Sequence, residues 1–260
     1  VADKRAIRDL LIDKRPLVIA HRGASFYAPE NTMPAFEKAL ELGSQIIELD
    51  VLLLSDGVPV VIHDTNLRRL AGVDKDIRTL SSLQIKSLDV GSFFGPQFKN
   101  ASIPLLSEVL EWADGKTALN IEIKPESVTD SFENGIEEKV LHLIRKQKME
   151  TQVLISGFDL RTIERFKQHA PEIARGVLYK KQNSSGLKPA DLVDSLEAAS
   201  LHVSKWDLRS KIMTDAAARK IPVLVYTVNR KWQMRRFINK GVKGIFSDKP
   251  DVLAKVIERG

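Results

Sequence analysis

Two short apolar runs near the start of the chain each end in a histidine. Leu17-Val18-Ile19-Ala20 leads into His21, Val58 to Ile62 leads into His63, and Glu48 and Asp50 lie between them. An apolar run of four residues is too short for an amphipathic helix and reads as a buried strand. His21 and Arg22 therefore stand at a strand's carboxyl end. Residues Ile46 to Leu54 form a second strand, in which side chains two apart share a face. Ile46, Glu48 and Asp50 then point one way, and Ile47, Leu49 and Val51 the other. Two carboxylates on one face of an oily strand are costly to bury unless positive charge meets them. A hard divalent cation meets that need. Residues 118–124 repeat the pattern, with Asn120, Glu122 and Lys124 on one face and Leu119, Ile121 and Ile123 on the other. Glu48, Asp50 and Glu122 make an all-oxygen donor set suited to Ca²⁺ or Mg²⁺ rather than structural zinc. On residue grounds alone, exposed strand-end acids paired to Arg22 or Lys124 are an equal alternative. A single strand-end histidine is more often structural. Here two bracket a carboxylate pair, and each is followed by a charged residue. His142, His169 and His202 have no such setting and read as structural.

The elements that position these residues alternate. Thr32 is placed to cap a helix with Pro34 in its first turn, Phe36, Ala39 and Leu40 on its apolar face, and Gly43 at its end. Asp56-Gly57 is a tight turn before the run at 58–62. Helices near 106–114, 131–148, 159–169, 190–199, 210–219 and 231–239 alternate with strands at 118–124, 152–156, 174–178, 201–204, 222–227 and 244–247. Such alternation means a parallel sheet with right-handed crossovers. About eight strands in a chain of 260 residues favour a (β/α)8 TIM barrel, whose functional groups gather at the strands' carboxyl ends. Residues 1–16 read as a short helix across the barrel's lower end, carrying Ile7, Leu10, Leu11 and Ile12. Residues 65–104 are too long for a plain loop and are expected to form an inserted subregion of one barrel domain spanning 1–260. Ser81, Ser82, Leu83 and Leu88 suggest a small helix there, and Phe93, Phe94 and Phe98 an apolar cluster.

In order along the chain, HRG (21–23), PENT (29–32), ELD (48–50), HD (63–64), IEIKPE (121–126), YTVN (226–229) and SDKPD (247–251) closely resemble the glycerophosphodiester phosphodiesterase family. The ordered set spans nearly the whole chain. The resemblance implies metal-dependent hydrolysis of glycerophosphodiesters to glycerol 3-phosphate and an alcohol, in glycerol and lipid metabolism. It makes Glu48, Asp50 and Glu122 the metal ligands. His21 and His63 become the acid–base pair, since cleaving a diester needs one proton removed and another donated. Arg22 and Lys124 would hold the non-bridging phosphate oxygens. Glu30 and Asn31 would orient His21 and Arg22, although helix capping explains Asn31 equally well. Phe158 would line the substrate groove or pack in the core. Tyr226 stands where the family commonly has tryptophan, so the aromatic wall carries a hydroxyl in place of an indole.

Composition narrows the field. The chain has no cysteine, which excludes disulfides, thiol catalysis and thiolate metal sites. It holds no apolar run of membrane-spanning length and no signal-peptide pattern. The first residue is Val rather than Met, so both a cytoplasmic domain and an exported one with its leader or anchor removed stay open. The net charge of +6 suits anionic substrates or membrane surfaces, or simply a solvated basic face. Aromatics are few and no basic run alternates with them, which argues against nucleic acid. Oligomeric state is left open. Two rivals stand beside the main reading. One is a lysophospholipase D-like enzyme reaching lipid substrates through Phe93, Phe94 and Phe98; the other is a catalytically silent binding domain.

Overall fold

Nine strands organise the computed structural model, which describes residues 6–184 and 186–259. They are β1 (Leu17–Ala20), β2 (Ile46–Leu53), β3 (Pro59–Val61), β4 (Ala118–Ile123), β5 (Val153–Gly157), β6 (Ala174–Tyr179), β7 (Ser200–Ser204), β8 (Val223–Tyr226) and β9 (Gly244–Ser247). All but β3 are parallel, and β1 pairs with both β2 and β9, closing an eight-stranded barrel. The short β3 lies antiparallel on the far end of β2. The chain is a (β/α)8 barrel, as the alternation predicts.

The period-two pattern separates two apolar layers. Ile47, Leu49, Val51, Leu119, Ile121 and Ile123 face outward into the layer beneath the helices. Ile19, Ile46, Ala118, Leu154, Ala174, Leu224 and Phe246 fill the barrel's interior. The helix Ile7–Ile12 adds Ile7, Leu10 and Leu11 to that interior cluster, while Ile12 is exposed. The Ile7 amide donates to the Thr151 carbonyl just before β5, so this helix stops the amino-terminal end of the barrel. Residues 1–5 of the expected N-terminal helix lie outside the described residues. Burying each such aliphatic side chain is worth about 1.5–3 kcal/mol.

Several boundaries differ from expectation, for local reasons. The helix expected from 131 begins at Ile136, because Asn134 takes a left-handed φ of 59° and Ser131 ties the preceding turn. Thr32 is the N-cap residue of helix Met33–Glu41, but its hydroxyl donates to the Pro29 carbonyl instead of capping. A last helix, Pro250–Glu258, was not read from the sequence. Between β3 and the helix Leu106–Ala113, residues 65–104 hold only short helices, among them Arg68–Ala71 and Ser82–Ile85. Leu67, Leu70, Ile77, Ile85, Val90 and Ile103 of this stretch pack on Leu52, Val60 and Ile62. Phe94 sits edge-on to both Phe93 and Phe98, and Phe93 is half exposed.

Candidate active site

The barrel's register brings the acids together. In the β2–β4 pairing Glu48 lies beside Asn120 and Asp50 beside Glu122. Oxygens of Glu48, Asp50 and Glu122 all come within 4.8 Å of one another. After β1 the chain turns sharply at His21-Arg22-Gly23, with φ of 55° at Arg22 and 79° at Gly23. A Cβ on Gly23 would lie 2.7 Å from the Ala35 backbone, so only glycine lets this turn rest on the following helix. The turn aims the Arg22 amide at Glu48 Oε2, 2.8 Å away. The Arg22 guanidinium reaches Glu30 Oε1 at 2.9 Å and lies 3.3 Å from Asp50 Oδ2. Asn31 brackets Asp50, donating from Nδ2 at 3.0 Å and accepting the Asp50 amide at 3.2 Å. Lys124 Nζ donates to Glu122 Oε1 at 3.0 Å and is 3.5 Å from Asp50 Oδ1.

These charges set one another's protonation. Burial pushes the Glu48 carboxyl up to about 8, helped by the neighbouring charge of Asp50. Glu122 is also raised, by burial and by Asp50. Asp50 goes the other way: burial opposes its ionisation, but Arg22, Lys124, His63 and the Asn31 hydrogen bond outweigh it. The donor set therefore fits a divalent cation. Two of its three carboxylates resist ionisation because burial and the nearby Asp50 charge outweigh the cations around them, and among the described residues Glu48 accepts only the Arg22 backbone amide. Ion pairing with Arg22 and Lys124, the simpler reading of the sequence, accounts for Asp50, but at Glu48 the charges of His21 and Arg22 do not offset burial and the neighbouring Asp50.

Each of the two histidines carries a carboxylate on Nδ1. His21 Nδ1 is 2.7 Å from Asp248 Oδ1, and Asp248 is held in turn by Asn229 Nδ2, its own amide donating to Asn229 Oδ1 at 2.9 Å. Burial works against charge on His21, but Asp248 and Glu48 more than offset it and raise the imidazole above its ordinary value. His63 Nδ1 is 2.6 Å from Asp64 Oδ1. Arg69 Nε donates to Asp64 Oδ2 at 2.6 Å, and its other two nitrogens fork onto Glu30. A continuous chain of charge thus runs from His63 through Asp64, Arg69, Glu30 and Arg22 to Asp50.

One cavity of about 260 Å³ is lined by His21, Arg22, Glu48, His63, Glu122, Lys124, Phe158 and Tyr226 together. Glu30, Asn31 and Asp50 stand behind that wall, joined to it by the bonds above. The Phe158 and Tyr226 rings meet edge-on at 6.3 Å. Tyr226 Oη, Asn120 Oδ1 and His202 Nδ1 are buried without a hydrogen-bond partner, and all three residues line the cavity. His63 and Lys124 also border an outer groove with Thr65, Asn66, Arg68 and Arg69. None of Phe93, Phe94 and Phe98 lines either space.

The sequence did not single out Asp248, Asn229, Arg69 or His202. Asp248 and Asn229 carry a trace of their role, since Asp248 directly follows β9 and Asn229 lies three residues after β8, each within a quoted motif. Arg69 carries none. His202, fully buried on β7 with Nε2 2.9 Å from Ser200 Oγ, lies within the cavity wall despite its apolar setting. His142 and His169 are exposed, the latter stacked on Phe132.

The family model described as the glycerophosphoryl diester phosphodiesterase family matches residues 21–252. The chain belongs to that family. It is accordingly an enzyme of the phosphoric diester hydrolase class. A glycerophosphodiester phosphodiesterase of Caldanaerobacter subterraneus is 38% identical over 248 residues, covering 95% of this chain and 99% of that protein. One from Bacillus altitudinis is 32% identical over 93% of this chain and 98% of its own length. Among solved structures, a phosphodiesterase of Oleispira antarctica in complex with the product sn-glycerol-3-phosphate superposes with a TM-score of 0.85. It is 30% identical, over 94% of this chain and 97% of that one. No helix among the described residues is long and apolar enough to cross a membrane.

Proposed function

We propose that the cavity hydrolyses glycerophosphodiesters to glycerol 3-phosphate and an alcohol, with a divalent cation, Ca²⁺ or Mg²⁺, held by Glu48, Asp50 and Glu122. The observation that carries this reading is the joining of that oxygen donor set to two carboxylate-backed histidines in one cavity. Bound there, the cation supplies neutralisation of phosphate charge and polarisation of the P–O bond. Arg22 and Lys124 flank the acids and present N–H donors to the non-bridging oxygens. With Nδ1 engaged by Asp248 in one case and Asp64 in the other, each histidine has Nε2 left to exchange a proton. One takes the proton of the attacking hydroxyl, and the other gives a proton to the departing alkoxide. The orphaned Tyr226 Oη, Asn120 Oδ1 and His202 Nδ1 suit the hydroxyls of a glycerol unit in the barrel. The leaving alcohol then points along the groove beside Thr65, Asn66 and Arg68. The complex of the Oleispira antarctica phosphodiesterase with the product sn-glycerol-3-phosphate supports this choice of substrate.

A glycerol diester carries its own hydroxyl next to the ester oxygen, and internal attack has a large advantage in effective molarity. In that route the hydroxyl oxygen bonds to phosphorus, the P–O bond to the alcohol breaks, and water then opens the cyclic glycerol phosphate. Release of glycerol 3-phosphate, measured with EDTA and then with added Ca²⁺ or Mg²⁺, tests the reading. Undiminished turnover after exhaustive chelation would refute the cation, and no release with any cation would refute the substrate. Equal turnover of a diester lacking the adjacent hydroxyl would make water the nucleophile.

A further inference from the structure

The excess positive charge is not spread evenly over the barrel. From Asn229 to Lys240 there are five cations, Arg230, Lys231, Arg235, Arg236 and Lys240, and no acid. This segment begins after β8 at the carboxyl-terminal, open end of the barrel, and its helix, Lys231–Asn239, runs back along the outside toward the start of β9. On the same end, two tryptophans project into solvent. Trp206, just after β7, is 75% exposed, and Trp232, in the first turn of the helix after β8, is 55% exposed. Together they line one shallow depression with Lys205, Arg209, Arg236 and Lys240, and no carboxylate lines it. Asp207 is the only acid in the 205–210 loop. Lys205 Nζ also donates to the Thr227 carbonyl at 2.7 Å, and Thr227 borders the catalytic cavity. Lys205 thus ties the depression to a residue at the rim of the mouth. Phe26, after β1, adds a third half-exposed ring to this end.

Exposed tryptophans ringed by cations are unfavourable in water and suited to a boundary where an apolar phase meets negative charge. We infer that the Trp206–Trp232 face docks the open end of the barrel onto an anionic lipid surface. A second copy of the chain fits poorly, because it would bring the four cations of the depression against four like charges. Nucleic acid fits less well than lipid. Lys205 Nζ lies 5.2 Å over the Trp206 ring and Lys249 Nζ 3.7 Å over Phe26, on faces where a base would stack. The rings also stand on separate loops rather than in a row along one groove. Docking goes beyond the proposed reaction and does not depend on it.

The test uses the full chain and vesicles of phosphatidylcholine, with or without phosphatidylglycerol, carrying brominated acyl chains. Trp206 and Trp232 are two of the chain's three tryptophans, so a Trp112→Phe background makes emission report this face alone. Quenching and co-sedimentation are expected on the anionic vesicles only, and both are expected to fade with salt. Arg236→Gln with Lys240→Gln should weaken partitioning roughly fivefold per charge removed. Trp206→Ala with Trp232→Ala should abolish it, while the thermal midpoint and turnover of a soluble diester stay unchanged. Binding without quenching, equal binding to neutral vesicles, or binding indifferent to the tryptophans would each overturn the inference. So would no vesicle binding at all, whether or not an oligonucleotide or a second copy bound instead. A chain inert toward diesters that still showed quenching would defeat the proposed reaction and leave the docking face standing.

Discussion

At the scale of single residues, the proposed reaction divides the work between the histidines and the acids, and their separation is testable. His21→Ala and His63→Ala should each lower turnover by about 10²–10⁴, the usual scale for lost proton transfer. Cation affinity by calorimetry should barely change, and its loss in either variant would make that histidine a ligand. Among the described residues the Asp248 carboxylate bonds only to His21, Ser25 and Asn229, which suits it to orienting the ring. Asp248→Asn should cost about 10–100-fold in kcat, as losses of such orienting partners do, with KM and cation affinity held; a change confined to KM would refute that role. His202 gives a pH effect with a definite sign. Burial lowers its imidazole to about 3, against about 6.5 unfolded. Between these values the unfolded chain binds a proton that the folded chain refuses, so stability falls as pH drops below 6.5 and levels off near 3. From pH 6.5 to 5 this amounts to about 2 kcal/mol. His202→Gln should flatten that part of the thermal-midpoint profile, and an unchanged slope would show that other groups set it.

At the scale of elements, what the sequence discloses is what periodicity and turn chemistry can carry. Glu48, Asp50 and Glu122 were legible because alternation along β2 and β4 sorts inward from outward residues without any knowledge of the fold. His21 and His63 were legible because each closes an apolar run. Asp248 was not, since it meets His21 across 227 residues of sequence, through a β1–β9 pairing that exists only once the barrel closes. Arg69 was hidden differently. It sits on a four-residue helix, Arg68–Ala71, within a stretch that has no periodic pattern, and only folding shows that it ties Asp64 to Glu30. The turn at Gly23 links sequence to site most directly. A methyl group there meets the Ala35 backbone and must hold a left-handed φ. Gly23→Ala should therefore cost about 1–3 kcal/mol in strain and displace the Arg22 amide from Glu48. Cation affinity and thermal midpoint should fall together; a normal cation affinity would show that the turn absorbs the methyl without moving.

At the scale of the whole molecule, the barrel pays for its site in stability. Three acids converge on one point, and the strain shows as raised carboxyl values at Glu48 and Glu122. A cation held there only by the folded state would reverse that deficit. At about 100 times its dissociation constant it contributes about 3 kcal/mol, or a rise of roughly 5–10 °C in thermal midpoint for a chain of this size. The same site therefore predicts opposite effects of one substitution under two conditions. In EDTA, Glu122→Gln removes a buried charge that its neighbours resist, so the variant should melt at or above the parent's midpoint. With saturating Ca²⁺ or Mg²⁺ the parent should rise past the variant, which has lost a ligand and responds weakly. Lys124 complicates the first half, since it donates to Glu122 Oε1 and a neutral amide still accepts that bond but no longer offsets the ammonium. The decisive quantity is accordingly the difference in cation response and not either midpoint alone. Scanning calorimetry of both proteins, with and without cation, measures it. Equal responses in parent and variant would place any stabilising ion elsewhere on the barrel and remove Glu122 from the donor set.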